Sequence, residues 1–494
     1  HLRYLMNGKG NNGGNNKYST FVLLLLASIA IMVMYVEAMA FPSLPQVMAD
    51  FGLDPEDYAL ASWIVTIYLV VGVVSIPVFG KLGDIYGKKK MLVYAMLIYS
   101  IMVTVTGFSR ELSDSIYLMI FFRALQGIAM CMFPLAFSLI RDEFPADRIA
   151  VAQGVISAMF GVGTAVGFVL GGYVTDALGW QWTYHTVAPF AFIVTVTVMF
   201  KVRESPVRLK AKVDYIGAAI LGAMMVSFLV GITETRGRGW ADPLVVGLLV
   251  LAVVLLLAFA YWIKKVQEPL VRPALLKVRN LALMNIVAFV IGFSLFSTNQ
   301  TIASLAGFNF RLDAIGIGLL MLPMSIVTLF FGPTVGFLVK RIGPKWPMTL
   351  GMVLSLVGFA ILYQFHYTQF EVAVSMAVMG AGAAFAMVGS INMVIVSTPV
   401  EETGISTAIN MIVRTSGSVV GPAIAAVIIA ENSRYDASIG AVVPEDVAYQ
   451  LIFMLAAVIA GVGAIISMYT EEKHKVPAEA PKKNEPLELD TLTQ

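Results

Sequence analysis

Fourteen runs of roughly 20 mostly apolar residues, each long enough to cross a bilayer as a helix, divide this chain of 494 residues. At 1.5 Å of rise per residue, such a run spans the hydrocarbon with its backbone hydrogen bonds closed internally. Breaks at charged residues or Pro/Gly clusters place the spans at 20–43, 59–79, 91–108, 116–140, 150–174, 183–200, 214–233, 243–263, 281–304, 315–339, 347–365, 371–397, 405–429 and 448–469. Only 13% of the residues are charged, against about 25% in a soluble domain. The chain cannot cover its surface with charge, so the lipid bilayer is its expected solvent. The fold class is an all-α polytopic membrane protein.

The charges also give an orientation. With a cytoplasmic N-terminus, five of the 33 Lys and Arg (Arg110, Arg236, Arg238, Arg311, Arg434) fall in outer loops, and Arg123 and Arg414 fall inside spans. The other 26 face the cytoplasm, as the positive-inside bias requires. A miscount of one helix would scramble this alternation, so both termini are expected in the cytoplasm, with the plasma membrane as location. Residues 1–19 read as a polar tail rather than a cleavable signal, because the apolar run that follows is too long. The first residue is His1, and Met6 reads as a natural start.

Several functions are disfavoured. A net charge of +2 argues against a nucleic-acid partner. Cys131 stands alone in an apolar run, and the four histidines show no metal-ligand spacing. Gly83-x-x-x-Gly87-Lys88 falls one residue short of a P-loop and continues with Lys89 in place of Ser/Thr. No nucleophile, base and orienting group converge, so neither an enzyme nor a cofactor is expected.

A repeat organises the chain. Gly80-Lys81-Leu82-Gly83-Asp84-Ile85-Tyr86-Gly87-Lys88 after helix 2 is echoed by Gly336-Phe337-Leu338-Val339-Lys340-Arg341-Ile342-Gly343-Pro344 after helix 10. Gly163-x-x-x-Gly167 in helix 5 matches Gly417-x-x-x-Gly421 in helix 13, at an offset of 254. Two six-helix bundles, 20–205 and 271–470, therefore flank an inserted helix pair at 206–270, and 471–494 reads as a disordered cytoplasmic tail.

The loop Gly80-x-Leu82-x-Asp84-x-x-Gly87-Lys88-Lys89-Lys90 resembles the signature between helices 2 and 3 of the major facilitator superfamily. The resemblance implies that Asp84 latches an inner gate, with the Arg141-Asp142 end of helix 4 as its partner. Arg123-x-x-Gln126-Gly127 is similar to a second signature, found in proton-coupled members. Gly163-x-x-x-Gly167-Phe168-x-x-Gly171-Gly172 resembles the antiporter signature, with Phe168 where Pro is usual; the same glycines also suit close helix packing. Trp180-Gln181-Trp182 with Pro189, and Asp214-x-x-Gly217, resemble the fourteen-helix drug/proton antiporter branch. The match runs over roughly residues 20–470.

Three ionisable residues fall well inside the predicted hydrocarbon: Glu37, Arg123 and Arg414. Such charges are costly and default to functional hypotheses. Glu37 on helix 1 and Arg123 on helix 4 both sit roughly 8 Å to the outer side of the midplane. The family implies that both helices line a central cavity, which makes the two a candidate proton-coupling site. Burial favours a neutral carboxyl and a nearby guanidinium favours the anion, so a change of surroundings would load and release a proton. A static ion pair is the plain alternative, although such pairs are a poor source of stability. Arg414 is assigned to the gate, the plain alternative being that it caps backbone carbonyls. Candidate cavity residues are Glu37, Gln126, Asn285, Asn299, Gln300 and Asn392, with Ser397 and Asn410 on the same helices. Met and Phe on these helices make an adaptable apolar surface.

These readings converge on a proton-coupled antiporter exporting lipophilic or monocationic compounds, its partners being the bilayer, protons and the substrate, working as a monomer. The alternative is a proton-coupled symporter importing a small nutrient, and a substrate-sensing receptor is a more distant one.

Overall fold

The computed structural model describes residues 12–144, 146–205, 212–398, 403–436 and 441–471. Among them, fourteen helices are long and apolar enough to cross a membrane. The first half holds α1 (Asn12–Asp50), α2 (Trp63–Tyr86), α3 (Lys88–Gly107), α4, α5 (Ala146–Leu178) and α6 (Trp180–Lys201). α4 consists of Ile116–Gln126 and Met132–Glu143 joined by a 3-10 stretch, Gly127–Cys131. The inserted pair is α7 (Tyr215–Thr233) and α8 (Pro243–Lys265). The second half holds α9 (Arg279–Ser304), α10 (Ala314–Ile342), α11 (Lys345–Gln364), α12 (Gln369–Ser397), α13 (Thr403–Glu431) and α14 (Asp446–Met468). Each sequence-derived span lies on its helix to within a few residues at most ends, the main differences being extra polar turns beyond the hydrocarbon. An unforeseen antiparallel pair, β1 (Ser433–Asp436) and β2 (Ala441–Pro444), follows α13.

The alternation puts the start of α1 and the end of α14 on one face of the bundle, the near face, and the opposite loops on the far face. Small residues set the tightest helix crossings. A Cβ added to Gly163, Gly167 or Gly171 of α5 would lie 2.7, 2.7 or 2.5 Å from the Cβ of Met34, Ala38 or Met39 on α1. In the second half, Cβ atoms on Gly417 and Gly421 of α13 would collide with the carbonyls of Phe289 and Phe293 on α9. Real Cβ atoms do not approach that closely, so only glycine permits these crossings.

The halves meet firmly at the far face. The Asp176 carboxylate at the end of α5 accepts from the Ala314 and Ile315 amides, 3.0 and 2.7 Å, and so caps α10 from across the seam. A Cβ on Gly318 of α10 would collide with the Phe168 carbonyl. Tyr58 donates to the Gln300 carbonyl at 2.9 Å. Toward the near face, a Cβ added to Gly80, Gly332 or Gly336 would meet nothing within 4 Å. Backbone and side-chain contacts thus join the halves at the far face.

Candidate functional site: a buried carboxylate at the junction of the halves

The glycine stripe of α5 holds α1 in place, and α1 carries Glu37. Glu37 is 6% exposed, and its Oε2 has no hydrogen-bond partner. Arg123 on α4 is fully buried. Its Nε donates to the Ile64 carbonyl of α2 at 2.8 Å, its Nη1 donates to Gln126 Oε1 at 3.0 Å, and its guanidinium lies 4.8 Å from the Tyr68 ring centroid. The third nitrogen, Nη2, has no partner. Glu37 and Arg123 are therefore electrostatic neighbours without being an ion pair. A static salt bridge does not describe them.

Gln126 does not offer its amide to a cavity. Its Nε2 donates to the Met102 carbonyl at 3.2 Å and to Thr106 Oγ1, while its Oε1 holds Arg123. It positions the guanidinium. Tyr99 ties α3 to α1 by donating to the Met32 carbonyl at 3.3 Å. Sequence reasoning misses Tyr68 and Tyr99; a Tyr inside an apolar run is the available signal.

Arg414 on α13 is half-buried, and its guanidinium has no hydrogen-bond partner among the described residues. It caps no backbone carbonyl among the described residues, and it acts electrostatically on Glu37. The central charge cluster thus draws on both halves: one carboxylate, a tethered guanidinium and an untethered one.

The second half presents α9. Asn285, Gly292, Phe296 and Asn299 recur at intervals of 7, 4 and 3, which places them on one stripe. Phe296 meets Phe41 of α1 with ring centroids 6.3 Å apart, and Phe41 lies one turn beyond Glu37. Phe296 thus reaches the junction, whereas Gly292 and Asn285 of the same stripe pack against α13. Asn285 Nδ2, Asn299 Oδ1 and both side-chain polar atoms of Gln300 are buried without partners. Asn410 of α13 donates to the Met284 carbonyl at 3.2 Å and to Asn285 Oδ1 at 3.4 Å. Asn392 instead spends its Nδ2 on the Val388 carbonyl of its own helix, 2.8 Å away. Ser397 accepts from Asn280 at 3.3 Å near the other end of the bundle.

The loop after α2 is built as its spacing suggests. Gly87 has φ +122°, which L side chains rarely adopt, and its amide closes α2 onto the Gly83 carbonyl at 3.0 Å. Gly83 approaches Leu135 of α4, whereas Gly80 faces open space. Lys88 is 1% exposed, with its Nζ 3.9 Å from Asp84 Oδ1. Arg141 and Asp142 stand in the last turn of α4, but their side chains lie outside the described residues. Glu204, not anticipated, accepts from the Lys89 and Lys90 amides at 2.9 Å each and caps α3. Lys81 forms a 2.5 Å ion pair with Glu268, and that hydrogen bond holds the Glu268 carboxyl below its ordinary range.

Two motifs prove architectural. Trp180 Nε1 and Gln181 Nε2 both donate to Asp50 Oδ2, at 2.9 and 3.1 Å, fixing α6 to the end of α1. Asp214 accepts from the Gly217 amide and Trp262 Nε1, each at 2.8 Å, and from the Leu270 amide at 3.4 Å, which joins α7, α8 and the segment beyond them. Among the described residues, no group of His, Cys, Asp and Glu could hold a metal ion.

The family model of the Major Facilitator Superfamily matches residues 26–270 and 284–493. The chain belongs to this superfamily. It is 25% identical over 424 residues to the tetracenomycin C resistance and export protein of Streptomyces glaucescens, covering 83% of this chain and 76% of that protein. Multidrug resistance protein 3 of Bacillus subtilis is 24% identical over 345 residues, 69% of this chain and 66% of that one. An uncharacterized superfamily transporter of Mycobacterium tuberculosis is 29% identical over 378 residues, and there the chain spans about half of the relative's length, 54%. Among solved structures, the human organic anion transporter TETRAN superposes with a TM-score of 0.59 at 14% identity, over 91% of this chain and 99% of that one. A bacterial homolog of the lysosomal transporter Spinster, inward-facing and unoccupied, gives 0.61 at 15%, over 93% and 97%. Family and fold agree: the chain carries the superfamily's helical architecture, with fourteen candidate membrane spans among the described residues.

Proposed function

We propose that this superfamily member is a proton-coupled antiporter that exports lipophilic or monocationic compounds by alternating access, with Glu37 as its proton site. The observation that carries the reading is the Glu37 carboxylate: buried, with one oxygen unpartnered, and influenced by Arg123 and Arg414 without being neutralised by either in a salt bridge. A carboxylate so placed can take a proton or meet a cationic substrate, and that competition is the chemistry of exchange. The export direction takes support from relatives named for multidrug resistance and for resistance and export. The positive-inside bias puts the near face, and both termini, in the cytoplasm of a cell whose plasma membrane holds the transporter.

In this reading the second half supplies substrate contacts without charge. Asn285, Asn299 and Gln300 offer unsatisfied amide groups, and Phe41 and Phe296 offer aromatic surface. A single acid suits a neutral or monocationic ligand better than a dication. Arg123, held by Ile64 and Gln126, is a fixed field; Arg414, untethered, can approach or leave Glu37 as the halves move. Asp84, Gly80, Gly87 and Lys88 belong to the near-face gate.

Proteoliposomes with an imposed proton gradient of either sign, screened with a panel of lipophilic cationic dyes, test the assignment. Dye movement opposite to the proton gradient is expected. Movement of a nutrient with the gradient would establish a symporter instead.

A further inference from the structure

The inserted pair is more than an adornment at the edge of the bundle. α7 packs along α2 of the first half and α13 of the second, so it covers one seam between them. Its ties to the two halves are unequal. On the first half, Trp63 at the start of α2 donates to Thr233 Oγ1 at 2.8 Å, Arg236 Nη2 lies 3.0 Å from Glu56 Oε2, and Lys81 pairs with Glu268 beyond α8. On the second half the polar tie among the described residues is one hydrogen bond, from Arg236 Nη1 to the carbonyl of Glu431 at 3.3 Å. Glu56 precedes α2 and Glu431 ends α13, so one guanidinium straddles the far-face seam. Gly239, at φ +86°, ends the short turn Thr235–Arg238 that carries it.

We infer that Arg236 is a reversible far-face latch, and that the inserted pair travels with the first half when the far face opens. The inference rests on the alternating-access reading. Separating the far ends of α2 and α13 must break one of the two Arg236 bonds, because a planar fork cannot reach both once its acceptors part. The bond to Glu56 is charge-assisted on both sides and is reinforced by Trp63–Thr233 and Lys81–Glu268; the bond to the Glu431 carbonyl stands alone among the polar ties of the described residues. The Glu431 bond therefore yields, and its presence biases the protein toward the far-closed state. Specificity comes from the fork of Arg, which a Lys at the same place would not reproduce.

Spin-label distances in the full-length protein, in a Cys131→Ala background, read this directly. Labels at Asp114, Ala241 and Gln369 mark the far ends of the first half, the insertion and the second half, all exposed positions. The Asp114–Gln369 pair should show two distances, one for each state. Ala241–Asp114 should keep a single distance, whereas Ala241–Gln369 should follow the two states. Arg236→Gln should enlarge the longer Ala241–Gln369 population about two- to five-fold, the range for losing a partly exposed charged contact. The charge exchange Arg236→Glu with Glu56→Arg rebuilds the ion pair without the Glu431 bond, so the enlargement should persist. Restoration of the original populations by the exchange would overturn the latch. A split Ala241–Asp114 distance with a fixed Ala241–Gln369 distance would put the insertion with the second half. A single Asp114–Gln369 distance in every variant would remove alternating access itself, and the latch with it.

Discussion

In the first half, Gly163, Gly167 and Gly171 of α5 let α1 approach too closely for any Cβ at those positions, and in the second half Gly417 and Gly421 of α13 do the same for α9. The offset of 254 that relates the glycines pairs Glu37 with Ile291, which is buried and apolar. One packing device thus serves both halves, while the carboxylate and the tethered Arg123 belong to the first alone. Opposite them, α9 offers amides. Repeated packing fixes where two helices cross; it leaves the side chains on the inner stripe open to diverge. The division of labour proposed here follows: proton handling in the first half, uncharged substrate contacts in the second, and Arg414 as the second half's electrostatic reach into the first.

The largest expected effect breaks the comparison at its centre. Glu37→Gln should abolish gradient-driven transport with near-normal yield and thermal stability, whereas Asn299→Ala should weaken substrate binding several-fold and leave coupling intact. Proton-driven dye efflux beside equilibrium binding separates the two. Full efflux by Glu37→Gln would end the assignment of the proton to the first half.

Next come the arginines. Arg123→Ala strands the Ile64 carbonyl and the Gln126 amide, and should cost roughly 3 kcal/mol of thermal stability, the scale of a charged hydrogen bond. Arg414→Ala leaves no hydrogen bond behind and should cost under about 1 kcal/mol, yet slow exchange. Equal destabilisation by the two would erase the contrast between a tethered and an untethered guanidinium. The shared scaffold gives a third test. Gly167→Ala and Gly421→Ala should each destabilise by about 1–3 kcal/mol, the usual range for overpacking, because both crossings are equally tight. Loss confined to one variant would mean that the halves pack by different means.

Asp84→Asn should slow the transport cycle several-fold while substrate affinity changes little, since Asp84 stands at the near face, away from the junction. A ten-fold loss of affinity with normal turnover would contradict its gate role. The smallest effect is at the near-face tie. The Lys81 hydrogen bond holds the Glu268 carboxyl below its ordinary range, so this contribution is complete above about pH 4.3 and is lost as pH falls through the lower folded value. Lys81→Ala should flatten that part of the stability profile by a few tenths of a kcal/mol, Glu268 being partly exposed.

The spans, the repeat and the charged residues within apolar runs can be read directly, because hydrophobic length and the cost of intramembrane charge are local properties of the chain. Rotation about a helix axis cannot. Glu37 and Arg123 share a depth, but depth does not say which way a side chain turns, and Arg123 turns to Ile64 and Gln126. Residue type alone puts Gln126 and Asn392 in the cavity, and the structure commits their amides to nearby acceptors instead. The bonds joining Arg236 to Glu56 and Glu431, and Lys81 to Glu268, connect segments nearly 200 residues apart, a separation at which no periodicity carries information. The stripe on α9 is recoverable from its intervals, once Phe296 is known to face Phe41.

The central claim is that Glu37 exchanges its proton for substrate, and substrate-triggered proton release measures that step without a membrane or a gradient. Detergent-solubilised protein in weak buffer, with a pH indicator, should release protons on adding a lipophilic cation that it binds, and Glu37→Gln should bind the same compound while releasing none. Undiminished release from Glu37→Gln would contradict the account and move the proton site elsewhere in the chain.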